Sequence, residues 1–161
     1  MINPTVLTAL REQINKEFAS AYLYLSMSLK MESANYKGFS NWLFKQYQEE
    51  LEHAHTFIRY IQKRGAEVRL NDIKAAEIAT DVPLAVAEAV LAHEQMISRS
   101  INNLTELSRK ENDYATEIFL HDFINEQIEE EDTAQDIVSK FTFAGDSAAA
   151  RYSVDQELAR R

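Results

Sequence analysis

The stretch QYQEELEHAH (46–55) places Glu49, Glu50, Glu52, His53 and His55 inside a run of aromatic and apolar residues. Carboxylates and imidazoles can bind metal ions or move protons, and those held in perturbed, buried surroundings cluster at functional sites. At roughly 100° per residue, Leu43, Tyr47, Ala54, Phe57 and Ile61 all fall within about 60° of Glu50. Glu50 therefore lies at the centre of an apolar stripe, and His53 lies about 60° to one side, still inward. Glu49 falls at the edge of the stripe, and Glu52 and His55 point to solvent. The same projection centres Glu17 among Val6, Leu10, Ile14, Ala21, Tyr24 and Met31, and Glu94 among Ala87, Val90, Leu91, Ile97 and Ile101. Gln127 is centred among Leu120, Phe123, Ile124, Ala134, Val138 and Phe141, with Glu130 about 60° away and Glu131 about 40° away.

One inward carboxylate is as readily a hydrogen-bonded core group as a ligand. Four in one core differ, because each ionised group costs several kcal/mol to desolvate unless it is paired. No Lys or Arg lies near the middle of these stripes. Shared protons or a metal cluster remain, and the oxygen-rich set with one imidazole suits divalent iron, manganese or zinc.

The elements that must position these groups are helices. Three Gly and two Pro in 161 residues are too few for a turn-rich sheet protein. Four long helical patterns span about 5–32, 39–64, 82–110 and 114–142, and a short fifth spans about 148–158. ANYKG forms a turn, Gly65 ends the second pattern, and Asp81 is the expected N-cap of the third. The linkers before the second and fourth patterns are short, giving two antiparallel hairpins. The sixteen residues Ala66–Asp81, at about 3.3 Å each when extended, can cross the length of a helix. The expected fold is all-α: a four-helix bundle with one long crossover and a short fifth C-terminal helix, forming one domain over 1–161.

The hairpins echo each other. A shift of 77 residues carries Glu17 to Glu94, Glu49 to Glu126, Glu50 to Gln127, Glu52 to Glu129 and His53 to Glu130.

Composition narrows the function. Without Cys there is no disulfide framework or thiolate site, which suits a reducing compartment. The N-terminal segment carries no signal-peptide pattern, and no stretch is apolar enough to span a bilayer. A net charge of −9 argues against nucleic acid or anionic membranes as partners and is compatible with cations.

Glu17 and Glu94 as single carboxylates, with E50-L-E-H53 and Q127-I-E-E130, make the chain similar to the ferritin-like di-iron bundles. Gln and an acidic residue in the last motif resemble non-haem bacterial ferritins in particular. The terminal segment AGDSAAARYSVDQEL looks like the ferritin fifth helix. Leu51, where haem-binding relatives carry methionine, implies that no haem is bound.

The resemblance implies a first iron site at Glu17, Glu50 and His53. It implies a second at Glu94, Glu130 and the shared Glu50, with Gln127 hydrogen-bonding rather than ligating. Tyr24 is then an electron donor beside the di-iron centre; by position alone it is equally a core tyrosine. Glu49, Glu126 and Glu129 match a third iron site, or else are solvated surface charges. Glu117 and His121 match a subunit-junction pore, while His55 and His93 read as exposed or interfacial. Implied overall is a cytoplasmic iron store that oxidises Fe(II) to Fe(III) with dioxygen or hydrogen peroxide. Its homo-oligomer is a hollow shell of twenty-four subunits, with Tyr22, Leu23, Phe44 and Ile58 available for interfaces. The rival readings are a di-iron redox enzyme of the rubrerythrin-like peroxidase kind and a non-catalytic helical scaffold.

Overall fold

Pro4 opens the first helix, where its missing N–H is not needed, and Asn3 caps it by accepting from the Thr5 N–H at 2.8 Å. The computed structural model describes residues 1–161 and places helices α1 Pro4–Ser33, α2 Lys37–Lys63, α3 Pro83–Lys110, α4 Tyr114–Ala144 and α5 Ala148–Leu158. α1 packs along α2 and α3 along α4, as two antiparallel hairpins. Residues 66–82 carry no regular secondary structure and form the crossover. Arg11 fixes it to α1 by donating to the Glu67 carbonyl, and Asn15 accepts from the Asn71 N–H at 3.2 Å. No helix is long and apolar enough to cross a membrane.

Local chemistry moves some boundaries. Lys37 and Gly38 belong to α2, so the first hairpin turn is shorter than ANYKG suggested. The N-cap of α3 is Val82, not Asp81: the extended residue next to Pro83 is Val82, whose side chain cannot accept. The Val82 N–H instead bonds the Thr80 hydroxyl at 3.1 Å. α4 runs on to Ala144 because the break falls at Gly145, at φ +52°.

The hairpin turns are built alike. Asn35 and Asn112, 77 residues apart, both adopt left-handed φ, +65° and +57°. In each the residue after Asn donates back five positions, Tyr36 to Met31 at 3.0 Å and Asp113 to Ser108 at 2.9 Å. This closes the last turn of the helix on its own carbonyls.

Two apolar masses fill the bundle. One gathers Tyr24, Met31, Phe39, Trp42, Leu43, Val90 and Phe141; the other gathers Leu10, Ile14, Phe57, Ile61, Ile101, Leu120 and Phe123. Fully burying each such side chain contributes about 1.5–3 kcal/mol. Glu17, Glu50, Glu94 and Gln127 sit between the two masses, so the surrounding apolar burial holds together a polar belt that is unfavourable by itself. Tyr22 and Phe44 are exposed as anticipated, whereas Leu23 and Ile58 are half-buried against the core.

α5 docks across the start of α2. Its Asp155 carboxylate accepts from the Gly38 N–H at 3.1 Å and the Phe39 N–H at 2.8 Å. Tyr36, the N-cap residue of α2, offers no side-chain acceptor. Asp155 supplies that missing cap and places negative charge at the helix N-terminus.

Candidate metal centre

Glu17, Glu50 and Glu94 are 1%, 3% and 1% exposed. Glu17 Oε1 accepts from Gln13 Nε2 at 2.7 Å, while Glu17 Oε2 and Glu50 Oε2 are buried without a partner. His53, half-buried one turn after Glu50, brings Nδ1 to 3.4 Å from Glu50 Oε2. One donor atom from each of Glu17, Glu50 and His53 lies within 4.8 Å of the other two. No Lys or Arg forms an ion pair with Glu17, Glu50 or Glu94.

Burial, and next the neighbouring Glu50 charge, pushes the Glu17 carboxyl well above the usual range. Burial and the Glu94 charge do the same to Glu50. Two unpartnered carboxylate oxygens beside an imidazole, in a dry space without a protein cation, are the donor set that a divalent cation satisfies.

The other expected ligands are arranged differently. Glu94 Oε1 accepts from the Tyr24 hydroxyl and Oε2 from Gln127 Nε2 at 3.1 Å, so both of its oxygens are engaged. Glu130 Oε2 accepts from Gln46 Nε2 at 2.8 Å. Burial, with the Glu94 charge, pushes the Glu130 carboxyl up to about 7. Tyr24 is fully buried, and burial followed by the Glu94 charge raises its phenol well above the ordinary range. His93 is not fully exposed. It is half-buried edge-on to Tyr24 at 5.8 Å, with Nε2 2.8 Å from the Ser20 hydroxyl, and burial lowers its pKa. His55 is exposed, and Glu131 is half-buried beside Gln127 in a small recess between α3 and α4.

Glu49, Glu126 and Glu129 line one cleft of about 500 Å³ together with Glu52, Asp122, Glu130 and His53. His53 Nε2 lies 3.5 Å from Glu126 Oε2 and Nδ1 3.4 Å from Glu50 Oε2, so its ring stands between the cleft and the buried Glu50. Glu49 is already paired with Arg161, whose guanidinium lies 4.7 Å over the Trp42 ring. Glu117 accepts from Arg109 at 2.6 and 2.9 Å, and His121 is exposed.

The family pattern described as a ferritin-like domain matches residues 7–144. The chain belongs to the ferritin family. It is 40% identical, over the whole of both chains, to a bacterial non-haem ferritin of Bacteroides fragilis. A bacterial non-haem ferritin of Staphylococcus aureus is 34% identical, with all of this chain and 97% of that one aligned. Among solved structures, the open-pore ferritin of the hyperthermophilic archaeon Archaeoglobus fulgidus superposes with a TM-score of 0.98 at 41% identity, covering 100% of this chain and 99% of that one. A closed form of that ferritin, engineered by site-directed mutagenesis, gives the same TM-score at 42% identity, covering 100% and 98%.

Two buried amides of this ferritin escape the charge pattern. Gln13 and Gln46 are fully buried; Gln13 hydrogen-bonds Glu17, four residues on, and Gln46 hydrogen-bonds Glu130 on α4. Only the Gln13–Glu17 bond has the i, i+4 spacing that a sequence can show; Gln46 reaches across to another helix.

Proposed function

We propose that this ferritin oxidises Fe(II) to Fe(III) at a two-iron centre inside each subunit and stores the ferric product in a hollow shell of twenty-four copies in the cytoplasm. The observation that carries this reading is the pair of unpartnered, buried carboxylate oxygens on Glu17 and Glu50 beside His53. Glu17, Glu50 and His53 hold the first Fe(II). Glu94 and Glu130 hold the second with a share of Glu50, once they leave their present hydrogen bonds. The two Fe(II) ions supply two electrons to dioxygen or hydrogen peroxide. Gln127, donating to Glu94, keeps an amide at the second site where a water or oxygen ligand can be hydrogen-bonded. Glu49, Glu126 and Glu129 form a third iron site in the acidic cleft, which Arg161 must leave for Glu49 to take part. No haem is bound. Exposed Tyr22 and Phe44 contribute to subunit contacts.

The two positions differ in readiness. Displacing hydrogen bonds to a buried carboxylate costs about 1–3 kcal/mol. The second Fe(II) should therefore bind roughly tenfold or more weakly than the first. Anaerobic Fe(II) titration followed by air, with particle size measured on the same sample, tests both chemistry and assembly. Two unequal sites and a large iron-filled sphere are expected. Two equally tight irons in a small particle would favour the rubrerythrin-like reading.

Tyr24→Phe keeps the ring and removes the hydroxyl held by Glu94. Stopped-flow oxidation should change several-fold while the number of Fe(II) bound per subunit stays the same. Unchanged kinetics would leave Tyr24 only its place in the core.

A further inference from the structure

Three hydrogen bonds run in series from solvent to Glu17. Lys16 Nζ donates to Ser100 Oγ at 2.8 Å, Ser100 Oγ donates to Gln13 Oε1 at 2.6 Å, and Gln13 Nε2 donates to Glu17 Oε1 at 2.7 Å. Lys16 is exposed, Ser100 half-buried, and Gln13 and Glu17 are each 1% exposed. All of these residues are on α1 or α3, whereas the acidic cleft is lined by α2 and α4. A recess of about 150 Å³, lined in part by Gln13, Lys16, Ser100 and Asn103, lies over the chain.

Donor chemistry fixes its direction. An ammonium only donates, so the Ser100 oxygen accepts from Lys16 and its own hydrogen turns to the amide oxygen of Gln13. The amide nitrogen is then left for Glu17, which, in the ionised form that binds a metal ion, only accepts. Reversing the amide would leave the Ser100 hydrogen facing an NH2 group and, with Glu17 ionised, set the amide oxygen against a carboxylate oxygen. A surface charge thus orients a buried amide, and the amide engages Oε1 of Glu17 while Oε2 stays free. The amide beside Glu130 has no such support: Gln46 Oε1 is buried without a partner, so that chain stops one residue from the carboxylate.

We infer that Lys16, Ser100 and Gln13 form a positioning chain that holds Glu17 with one oxygen ready for the first metal ion, so that a residue on the surface tunes first-site affinity. The inference rests on Glu17 being a first-site ligand. Partners that orient a ligand in this way are typically worth 10–100-fold in metal affinity.

The test is anaerobic Co(II) titration of the full-length, assembled, metal-free protein, followed by the visible absorption of bound Co(II). The parent is compared with Ser100→Ala, Lys16→Met, Lys16→Arg and Glu17→Gln. Ser100→Ala should weaken first-site Co(II) roughly tenfold and shift its absorption. Lys16→Met should weaken it several-fold, and Lys16→Arg should restore it, with melting temperatures of the metal-free proteins within a few degrees of one another. If Ser100→Ala and Lys16→Met titrate like the parent while Glu17→Gln has lost the site, the chain has no such role and the site itself stands. Weakening by Lys16→Met that Lys16→Arg fails to restore overturns the role of the charge. If Glu17→Gln keeps parental affinity, the underlying ligand assignment falls and the inference with it.

Discussion

Glu50→Gln should lower the initial rate of Fe(II) oxidation at least about a hundredfold, because Glu50 is the carboxylate shared by both proposed iron positions. A metal ion's charge stabilisation amounts to several kcal/mol, and about 3 kcal/mol corresponds to a hundredfold in rate. The same substitution should raise the stability of the metal-free protein. Glu50 is buried with an unpartnered oxygen, and such a group costs about 1–3 kcal/mol. Burial, and then the Glu94 charge, raises its pKa in the folded state. A carboxyl raised in this way destabilises the fold above its unfolded pKa and costs nothing below it. The stabilising effect of Glu50→Gln should therefore be a few degrees in melting temperature at pH 7 and fade toward pH 4. Adding Co(II) or Zn(II) should reverse the order, because a ligand that binds the folded state stabilises in proportion to its affinity. A variant that oxidises iron at the parental rate would remove Glu50 from the centre.

Gly38→Ala should be the most damaging single methyl group in the molecule. A Cβ built there would lie 1.7 Å from the Asp155 carbonyl oxygen, 2.7 Å from its carbon and 3.0 Å from the Ala159 nitrogen. All three are backbone atoms, so α5 must move bodily. Overpacking of this kind typically costs 1–3 kcal/mol, and a backbone clash should exceed about 3. Asp155→Ala, which removes only the cap on α2, should cost about 1–2 kcal/mol. Thermal melting should rank the two in that order, and limited proteolysis should cut the α4–α5 junction faster in Gly38→Ala. Glu50 is twelve residues along α2 from Gly38, about 18 Å. First-site Co(II) binding should therefore survive in whatever fraction folds. Equal stability of Gly38→Ala and the parent would mean that α5 does not pack as closely as described.

Much of this was legible from helical projection. Glu17, Glu50, Glu94 and Gln127 project inward because they interrupt apolar stripes of helical period, and the structure buries all four. The separation of Glu50 and His53 from Glu49 and His55 also follows from angle alone. The buttressing amides left at most the i, i+4 spacing of Gln13 and Glu17. Gln13 and Gln46 carry no charge, so a search for costly buried ions passes over them even though they lie on the same stripes. The engagement of Glu94 by Tyr24 and Gln127 depends on side-chain torsions that periodicity does not encode. The Asp155 cap joins residues 116 and 117 positions apart and leaves no mark near either end of α2. Asp81 misled because it has the right chemistry for a cap one residue too early, where the geometry before Pro83 selects Val82.

Backbones come closest within each hairpin and, between hairpins, where α1 meets α3; α2 and α4 meet through side chains, with the Phe57 ring 4.5 Å from that of Phe123 and Tyr60 stacked on Phe119 at 3.9 Å. Glu17, Glu50 and His53 all belong to one hairpin, and Glu94, Gln127 and Glu130 to the other. A cation on the first trio staples a hairpin to itself, whereas one shared with Glu94 or Glu130 rivets the joint between the two hairpins. Filling the second position should then slow amide exchange across that joint more than within either hairpin, so the subunit's cargo also serves as its fastener.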